Sequence, residues 1–292
     1  MTISAPTRWG LRALGLGYLF ILLLAPVVYI FIETFKDGLG PPIDAITTPD
    51  ALHAIKLTLI TVVIAVPLNT VFGVGCALLL VRHKWWGNRI IDAIISLPFA
   101  VSPVVIGLSL FLLYGTDGWF GPALAELGFE VLFSLPGIVL ACVFVSLPFV
   151  VREVAPVLQE IGTEQEQAAS TLGANGWQTF WRVTLPAIRW GVAYGVVLTA
   201  ARVLGEFGAV TIVSGSISGE TQTVPLFVAK EFEQFNEPGA YAGAIVLAIM
   251  ALTVLLLMTV GGRRRKQQAG SGSVPGAGDM TPDVVKTPKE AT

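Results

Sequence analysis

Val131-Leu132-Phe133-Ser134-Leu135-Pro136-Gly137-Ile138-Val139-Leu140-Ala141-Cys142-Val143-Phe144-Val145-Ser146-Leu147-Pro148-Phe149-Val150-Val151, ending against Arg152-Glu153, decides the fold. The run holds 21 residues without Asp, Glu, Lys or Arg. Roughly 20 apolar residues in a helix span the ~30 Å hydrocarbon core of a bilayer. Working outward, five more runs reach that length: Leu14 to Ile32, Leu57 to Val81, Ala93 to Tyr114, Trp190 to Val213 and Ala240 to Val260. Only the run from Trp190 carries charge, as Arg202 and Glu206. The chain as a whole is 54% hydrophobic and 13% charged, against about a quarter charged in soluble domains. It has too little polar surface to cover itself in water, so an all-α membrane protein of six transmembrane helices is expected.

Lys and Arg are retained on the cytoplasmic side of a membrane. With the N-terminus inside, Arg8, Arg12, Arg82, Lys84, Arg89, Arg152, Arg182, Arg189 and the cluster Arg263 to Lys266 all fall in the cytoplasm, while Lys36, Lys56 and Lys230 face outward. Six crossings then return the C-terminus to the cytoplasm. The first apolar run is followed by Phe31-Ile32-Glu33-Thr34-Phe35-Lys36 rather than a small-residue cleavage site, so it is expected to be a retained helix and not a signal peptide. The expected organisation is a cytoplasmic N-terminus over 1–12, a six-helix transmembrane bundle over 13–262 and a basic anchor with a disordered tail over 263–292. The tail is expected to lack order because its Gly, Ser and Pro content buries little apolar surface.

Several classes are disfavoured by what the spans contain. A transporter coupled to an ion gradient would place carboxylates in several spans and show symmetry between halves, whereas Glu206 is alone. A membrane enzyme needs a nucleophile with a base, or a metal cluster; His53 and His83 both fall outside the spans. Cys76 and Cys142 lie within apolar runs, where a small polarizable side chain packs well. The charge pattern implies no nucleic-acid partner. Pro26, Pro67, Pro98, Pro103 and Pro148 lie inside the runs and are expected to bend helices, either to shape the bundle or as hinges.

The longest inward-facing connection, about 152–189, is too long for a passive link. Thr163 followed by Glu166 has capping-box spacing and predicts a helix start. Ala168, Ala169 and Leu172 give that helix a small apolar face, and Gly173 is a natural C-cap before Ala174-Asn175-Gly176. A second helical stretch over Trp177 to Val183 leads to Thr184-Leu185-Pro186 and back to the membrane. A helix, a glycine turn and a second helix suit a protrusion that enters a groove on another protein.

At these positions the sequence resembles the type I importer permeases of the ATP-binding-cassette (ABC) superfamily, whose signature is Glu-Ala-Ala, three residues, Gly, nine residues, Ile, one residue, Leu-Pro. Here Gln167-Ala168-Ala169, Gly173, Val183 and Leu185-Pro186 fall at that spacing. Two positions depart: Gln167 replaces Glu, with Glu166 beside it, and Val183 replaces Ile. The resemblance implies the MetI-like permease fold, with Glu166, Gln167, Ala168, Ala169, Gly173, Ala174, Val183, Leu185 and Pro186 coupling it to cytoplasmic ATPase subunits. No stretch reads Gly-x-x-x-x-Gly-Lys-Ser/Thr, the loop that cradles nucleotide phosphates. The chain is therefore expected to be a transport subunit and not itself an enzyme, binding no cofactor, with ATP and Mg held by the partner ATPase. A second permease is implied as the other wall of the pathway.

Arg202 and Glu206, at i and i+4 near the middle of the fifth run, share a helix face. A charge there costs about 2.5 to 3.5 kcal/mol on insertion scales, so both should face protein or water. Two readings stand: a mutually neutralising pair that fixes packing, and a pathway-lining pair involved in gating or anion passage. Gly205, Phe207, Gly208 and Ser214 belong to the same string. This string and Gly219 to Leu226 resemble the oxyanion branch of the family, which handles sulfate, thiosulfate and molybdate. Gly173 to Pro186 and Leu147 to Glu153 are most similar to W-type sulfate/thiosulfate subunits. That likeness implies a T-type second permease, an extracytoplasmic sulfate/thiosulfate-binding protein and a place in the cell inner membrane.

Overall fold

Wherever a turn of backbone must be satisfied without water, helix is the solution that closes its own hydrogen bonds, and every regular element among the described residues is helical. The structure is a computed structural model that describes residues 5–83 and 85–270; the expected disordered tail falls, from residue 271 onward, outside them. The elements are α1 (Ala5–Leu19), α2 (Ala25–Phe35), α3 (Gly40–Ile46), α4 (Pro49–Arg82), α5 (Asn88–Ala100), α6 (Pro103–Tyr114), α7 (Gly121–Glu126), α8 (Leu135–Ile161), α9 (Glu164–Thr171), α10 (Gly176–Thr179), α11 (Leu185–Leu204), α12 (Gly208–Ser214), α13 (Val224–Glu233) and α14 (Glu237–Gly270). One π turn, Phe20–Leu24, joins α1 to α2, and another, Phe180–Thr184, joins α10 to α11. Among the described residues, those up to 255 form one compact unit, and those from 256 onward belong to a second.

Five stretches are long and apolar enough to cross a bilayer: Leu14–Phe35, Pro49–Arg82, Leu135–Ile161, Gly176–Leu204 and Glu237–Leu256. The remaining expected span, Ala93 to Tyr114, is not one helix. It is α5 and α6, bent by 111° at a short break. Pro103 disfavours helical backbone at the residue before it, and both Val101 (ψ 136°) and Ser102 (ψ 137°) are extended. Pro67, Pro98, Pro148 and Pro156, by contrast, lie within α4, α5 and α8 without ending them.

The fourth and fifth spans also differ from expectation. α8 continues past Val151 to Ile161 because its buried stripe, Val150, Val151, Val154 and Leu158, keeps helical spacing after the first charges appear. It stops at Gly162, whose φ is +61°. The link between α8 and the next long helix is therefore shorter than 152–189. At the other end α11 stops at Leu204 rather than Val213, so Arg202 and Glu206 lie at a break and not at the middle of a helix.

α8 is the hub, with α4 and α11 packed along it. Lipid offers helices no hydrophobic gain on association, so close packing and interhelical hydrogen bonds must hold them. Gly73 on α4 and Gly195 on α11 both admit Val150 of α8. A Cβ at Gly73 would lie 2.5 Å from the Val150 Cβ, and one at Gly195 would lie 2.9 Å from its Cα. One turn away Asn69 Nδ2 donates to Ser146 Oγ (2.7 Å) and to the Val143 carbonyl (3.1 Å), with both Asn69 and Ser146 fully buried. The first span, by contrast, presents large apolar side chains such as Ile21, Phe31 and Ile32 outward.

Candidate functional site

The protruding helix α9 has no buried residue. Ala168 and Leu172 are exposed, Leu172 at 89%, so the small apolar face points away from this chain. The expected Thr163–Glu166 capping box is not formed. Thr163 occupies the N-cap without a side-chain cap bond, and its Oγ1 instead accepts from Gln167 Nε2 (3.2 Å). Gly173 ends the helix as expected, with φ +86°. Its N–H donates to the Ser170 carbonyl (3.0 Å) and that of Ala174 to the Ala169 carbonyl (3.1 Å), the paired closure of a Schellman motif.

A true capping box follows at Asn175. Its Oδ1 accepts from Gln178 N (2.8 Å), while Gln178 Oε1 accepts from Asn175 N (3.1 Å). From Gly176 the chain is helical without interruption through the π turn into α11, so the expected separate stretch Trp177 to Val183 is the first part of the long stretch Gly176–Leu204. Leu185-Pro186 opens α11. Pro186 has no N–H to give the preceding turn, which accounts for the widened backbone there. Val183 and Leu185 are half-buried, while Trp177 and Trp181 stand exposed against each other, ring centroids 5.6 Å apart.

Glu166, the acidic residue of the motif region, is turned inward. Its Oε1 accepts from Thr184 Oγ1 (2.8 Å) and from Arg82 Nη2 (3.2 Å). Its Oε2 is 2.9 Å from Arg82 Nε, a charge contact and not an aligned hydrogen bond. Arg82 also donates through Nη1 to the Leu158 carbonyl (3.0 Å) and through Nη2 to the Gly162 carbonyl (2.8 Å). Sequence reasoning counted Arg82 only as a topology marker and did not single out Thr184 as a partner. The one signal available was an arginine at the very end of an otherwise uncharged run.

The charged break between α11 and α12 forms the second group. Arg202 Nη1 lies 2.6 Å from Glu206 Oε2, with the Glu206 side chain 1% exposed and that of Arg202 30% exposed. Glu206 Oε1 accepts from Ala209 N (2.9 Å), capping α12. The pairing expected from the sequence is thus present, with the carboxylate inside and the guanidinium reaching the surface. Gly208 and Gly107 let α12 and α6 touch: a Cβ on Gly107 would meet the Ala209 carbonyl at 2.7 Å. Phe207 is 45% exposed and Ser214 fully buried, its Oγ accepting from Ser216 N (3.1 Å). The cavity beside Glu206, lined by Thr58, Thr61, Cys142 and Thr223 among others, is about 10 Å³, room for one water and not for an oxyanion. A larger crevice of about 510 Å³ opens at the end of α6, lined by Tyr114, Asp117, Glu130 and Phe133 among others, and includes no residue of either group.

On the face away from α9, His53 Nε2 is 2.9 Å from the Glu220 carbonyl, and Lys230 Nζ donates to Ser218 Oγ (2.6 Å). Thr58 Oγ1 accepts from Val224 N (2.9 Å). These bonds tie the 215–224 loop to α4 and α13, a role the sequence did not disclose.

Comparison with known proteins matches residues 69–267 to the family of binding-protein-dependent transport system inner membrane components. The chain is 48% identical over 264 residues to the sulfate transport system permease protein CysW of Synechocystis, covering 89% of this chain and 96% of that one. It is 46% identical to the Escherichia coli K12 protein of the same name, covering 88% and 89%. To the E. coli K12 permease CysT it is 38% identical, covering 85% and 90%. Among solved structures, a bacterial ABC transporter that imports the acidic polysaccharide alginate has a chain that superposes with a TM-score of 0.75 at 19% identity, covering 89% of this chain and 96% of that one.

Proposed function

Since the chain belongs to the family of binding-protein-dependent transport system inner membrane components, we propose that it is the permease subunit of an ABC importer that brings sulfate, and by the same chemistry thiosulfate, into the cytoplasm. The single observation that carries this reading is its identity of nearly half to sulfate permeases along almost their whole length. The lower identity to the CysT permease supports a W-type role beside a T-type partner. In this reading the chain lies in the inner membrane with both termini in the cytoplasm.

The exposed α9 then docks into the ATPase subunit, which binds ATP and Mg and is the only motor. Ala168, Ala169, Gly173 and Ala174 supply a small, closely approachable surface, and the Gly173 turn fixes its direction. Closure of the ATPase on ATP displaces α9, and the two permease chains rock about a pathway between them. Arg202, Gly205 and Phe207 are on the accessible side of the charged break and line that pathway, while Glu206 orients Arg202 from beneath and offsets its charge. A guanidinium held this way presents donors suited to a tetrahedral anion. A binding protein on the outer face delivers the anion, which supplies most of the selectivity.

The test is reconstitution of both permease chains with the ATPase subunit and the binding protein in proteoliposomes, followed by uptake of radiolabelled sulfate. ATP-dependent accumulation that requires the binding protein is expected. Uptake that persists without ATP, or ATP-driven uptake that excludes sulfate, would refute the assignment.

A further inference from the structure

The interior contact of Glu166 is not what a docking carboxylate would show. Both of its oxygens face Arg82, and one also accepts from Thr184. The Glu166 side chain is only 21% exposed, on a helix with no buried residue, and that of Arg82 on α4 is 13% exposed. Around this one carboxylate meet the last residue of α4, the last carbonyls of α8 through Leu158 and Gly162, and the π turn that leads into α11. α4, α8 and α11 are the same three helices that pack along Val150 as the core of the bundle.

The geometry points to Arg82 and Glu166 as a latch, positioning residues that join the protruding helix to the three core helices and so convert its displacement into movement of the bundle. The inference rests on the reading of α9 as the ATPase-docking element. It differs from that reading in where the acidic residue works: Glu166 faces the permease interior, and the ATPase is met by the exposed residues around it, Gln167, Ala168 and Leu172. A lever with no buried apolar face has little else to pull on. The Gly162 link, at φ +61°, is a single turn, and without the latch α9 could pivot about it while α8 and α11 stayed in place. Arg suits the task because its planar fork reaches a carboxylate and two helix-end carbonyls together, which a lysine cannot do.

The test uses the assembled transporter in proteoliposomes, with radiolabelled sulfate and ATP, and compares the parent with Glu166→Gln, Arg82→Gln and the double variant. Sulfate moved per ATP hydrolysed should fall about fivefold or more in each single variant, while the ATPase subunit still copurifies. The double variant should be no worse than either single one, because the two act through one contact. Arg82→Lys, which keeps the charge and loses the fork, should show an intermediate ratio and serves if a glutamine variant fails to assemble. An unchanged ratio in Glu166→Gln or in Arg82→Lys, or additive losses in the double variant, would overturn the latch. Loss of the ATPase subunit from assembled Glu166→Gln would also overturn it, placing the carboxylate in the docking surface. A parent complex that moves another anion in place of sulfate would refute the proposed cargo alone, and the ratio read with that anion would still decide the latch.

Discussion

Gly73 and Gly75 lie two residues apart on α4, and the structure assigns them opposite fates on conversion to alanine. A Cβ at Gly75 meets nothing within 4 Å, whereas one at Gly73 would lie 2.5 Å from the Val150 Cβ and 2.7 Å from its Cγ1. A Cβ is fixed by its own backbone, so rotating the valine does not relieve the contact, and α4 and α8 must separate. Overpacking of this kind costs about 1–3 kcal/mol, and the helix-propensity gain of alanine over glycine is common to both sites. Gly73→Ala should therefore be less stable than Gly75→Ala by about 1–3 kcal/mol. For a chain of this size that is roughly 2–12 °C in unfolding midpoint, read by thermal denaturation of the purified permease in mild detergent. Adding Val150→Ala should not rescue Gly73→Ala, because the Cβ at 2.5 Å remains. Equal midpoints for Gly73→Ala and Gly75→Ala would refute the packing argument, and with it Val150 as the point where three helices meet.

Further outcomes follow from the two candidate groups. Gly173→Trp should uncouple transport, since a non-glycine residue at φ +86° costs about 1–2 kcal/mol and redirects the chain after α9; normal uptake with unchanged ATPase association would contradict this. Arg202→Gln, which keeps a donor for the buried Glu206 carboxylate and removes the positive charge, should lower anion uptake with assembly largely intact, and loss of the assembled complex would show that the pair is structural. Glu206→Ala leaves Arg202 unpaired and α12 uncapped, and should cost near the low end of about 3–5 kcal/mol because Arg202 is partly exposed; yield of folded complex measures it. Asn175→Ala removes a cap and should lower stability by about 0.5–2 kcal/mol, read as a shift in unfolding midpoint.

Five long apolar spans and the glycine turn after α9 were legible because both are written in local sequence. An uncharged run of 21 residues reports its solvent directly, and the Gly173 turn follows from the cost of positive φ to any other residue. Helix ends were less legible where a helix outlives its membrane segment. Charge marks where lipid stops and so ends the fourth span at Val151, yet the Val154 and Leu158 stripe carries α8 on to Ile161. The break before Pro103 looks in sequence like a bend within one span, because a proline does not state the angle its neighbours will adopt. The inward turn of Glu166 was not legible at all. Thr163 and Glu166 satisfied a local capping pattern, and only the tertiary fold, which brings Arg82 and Thr184 to the same place, shows that the carboxylate is taken by partners 84 and 18 residues away.

The central claim is that a soluble motor acts on this bundle through α9. A photo-crosslinking residue placed at Leu172, 89% exposed, tests it in intact membranes, with Phe235, 92% exposed beyond α13, as the control. An adduct between position 172 and the ATPase subunit, with a yield that changes on ATP addition, and no such adduct from position 235, is the expected result. Adducts from position 172 with lipid alone, or an ATPase adduct from position 235, would contradict it.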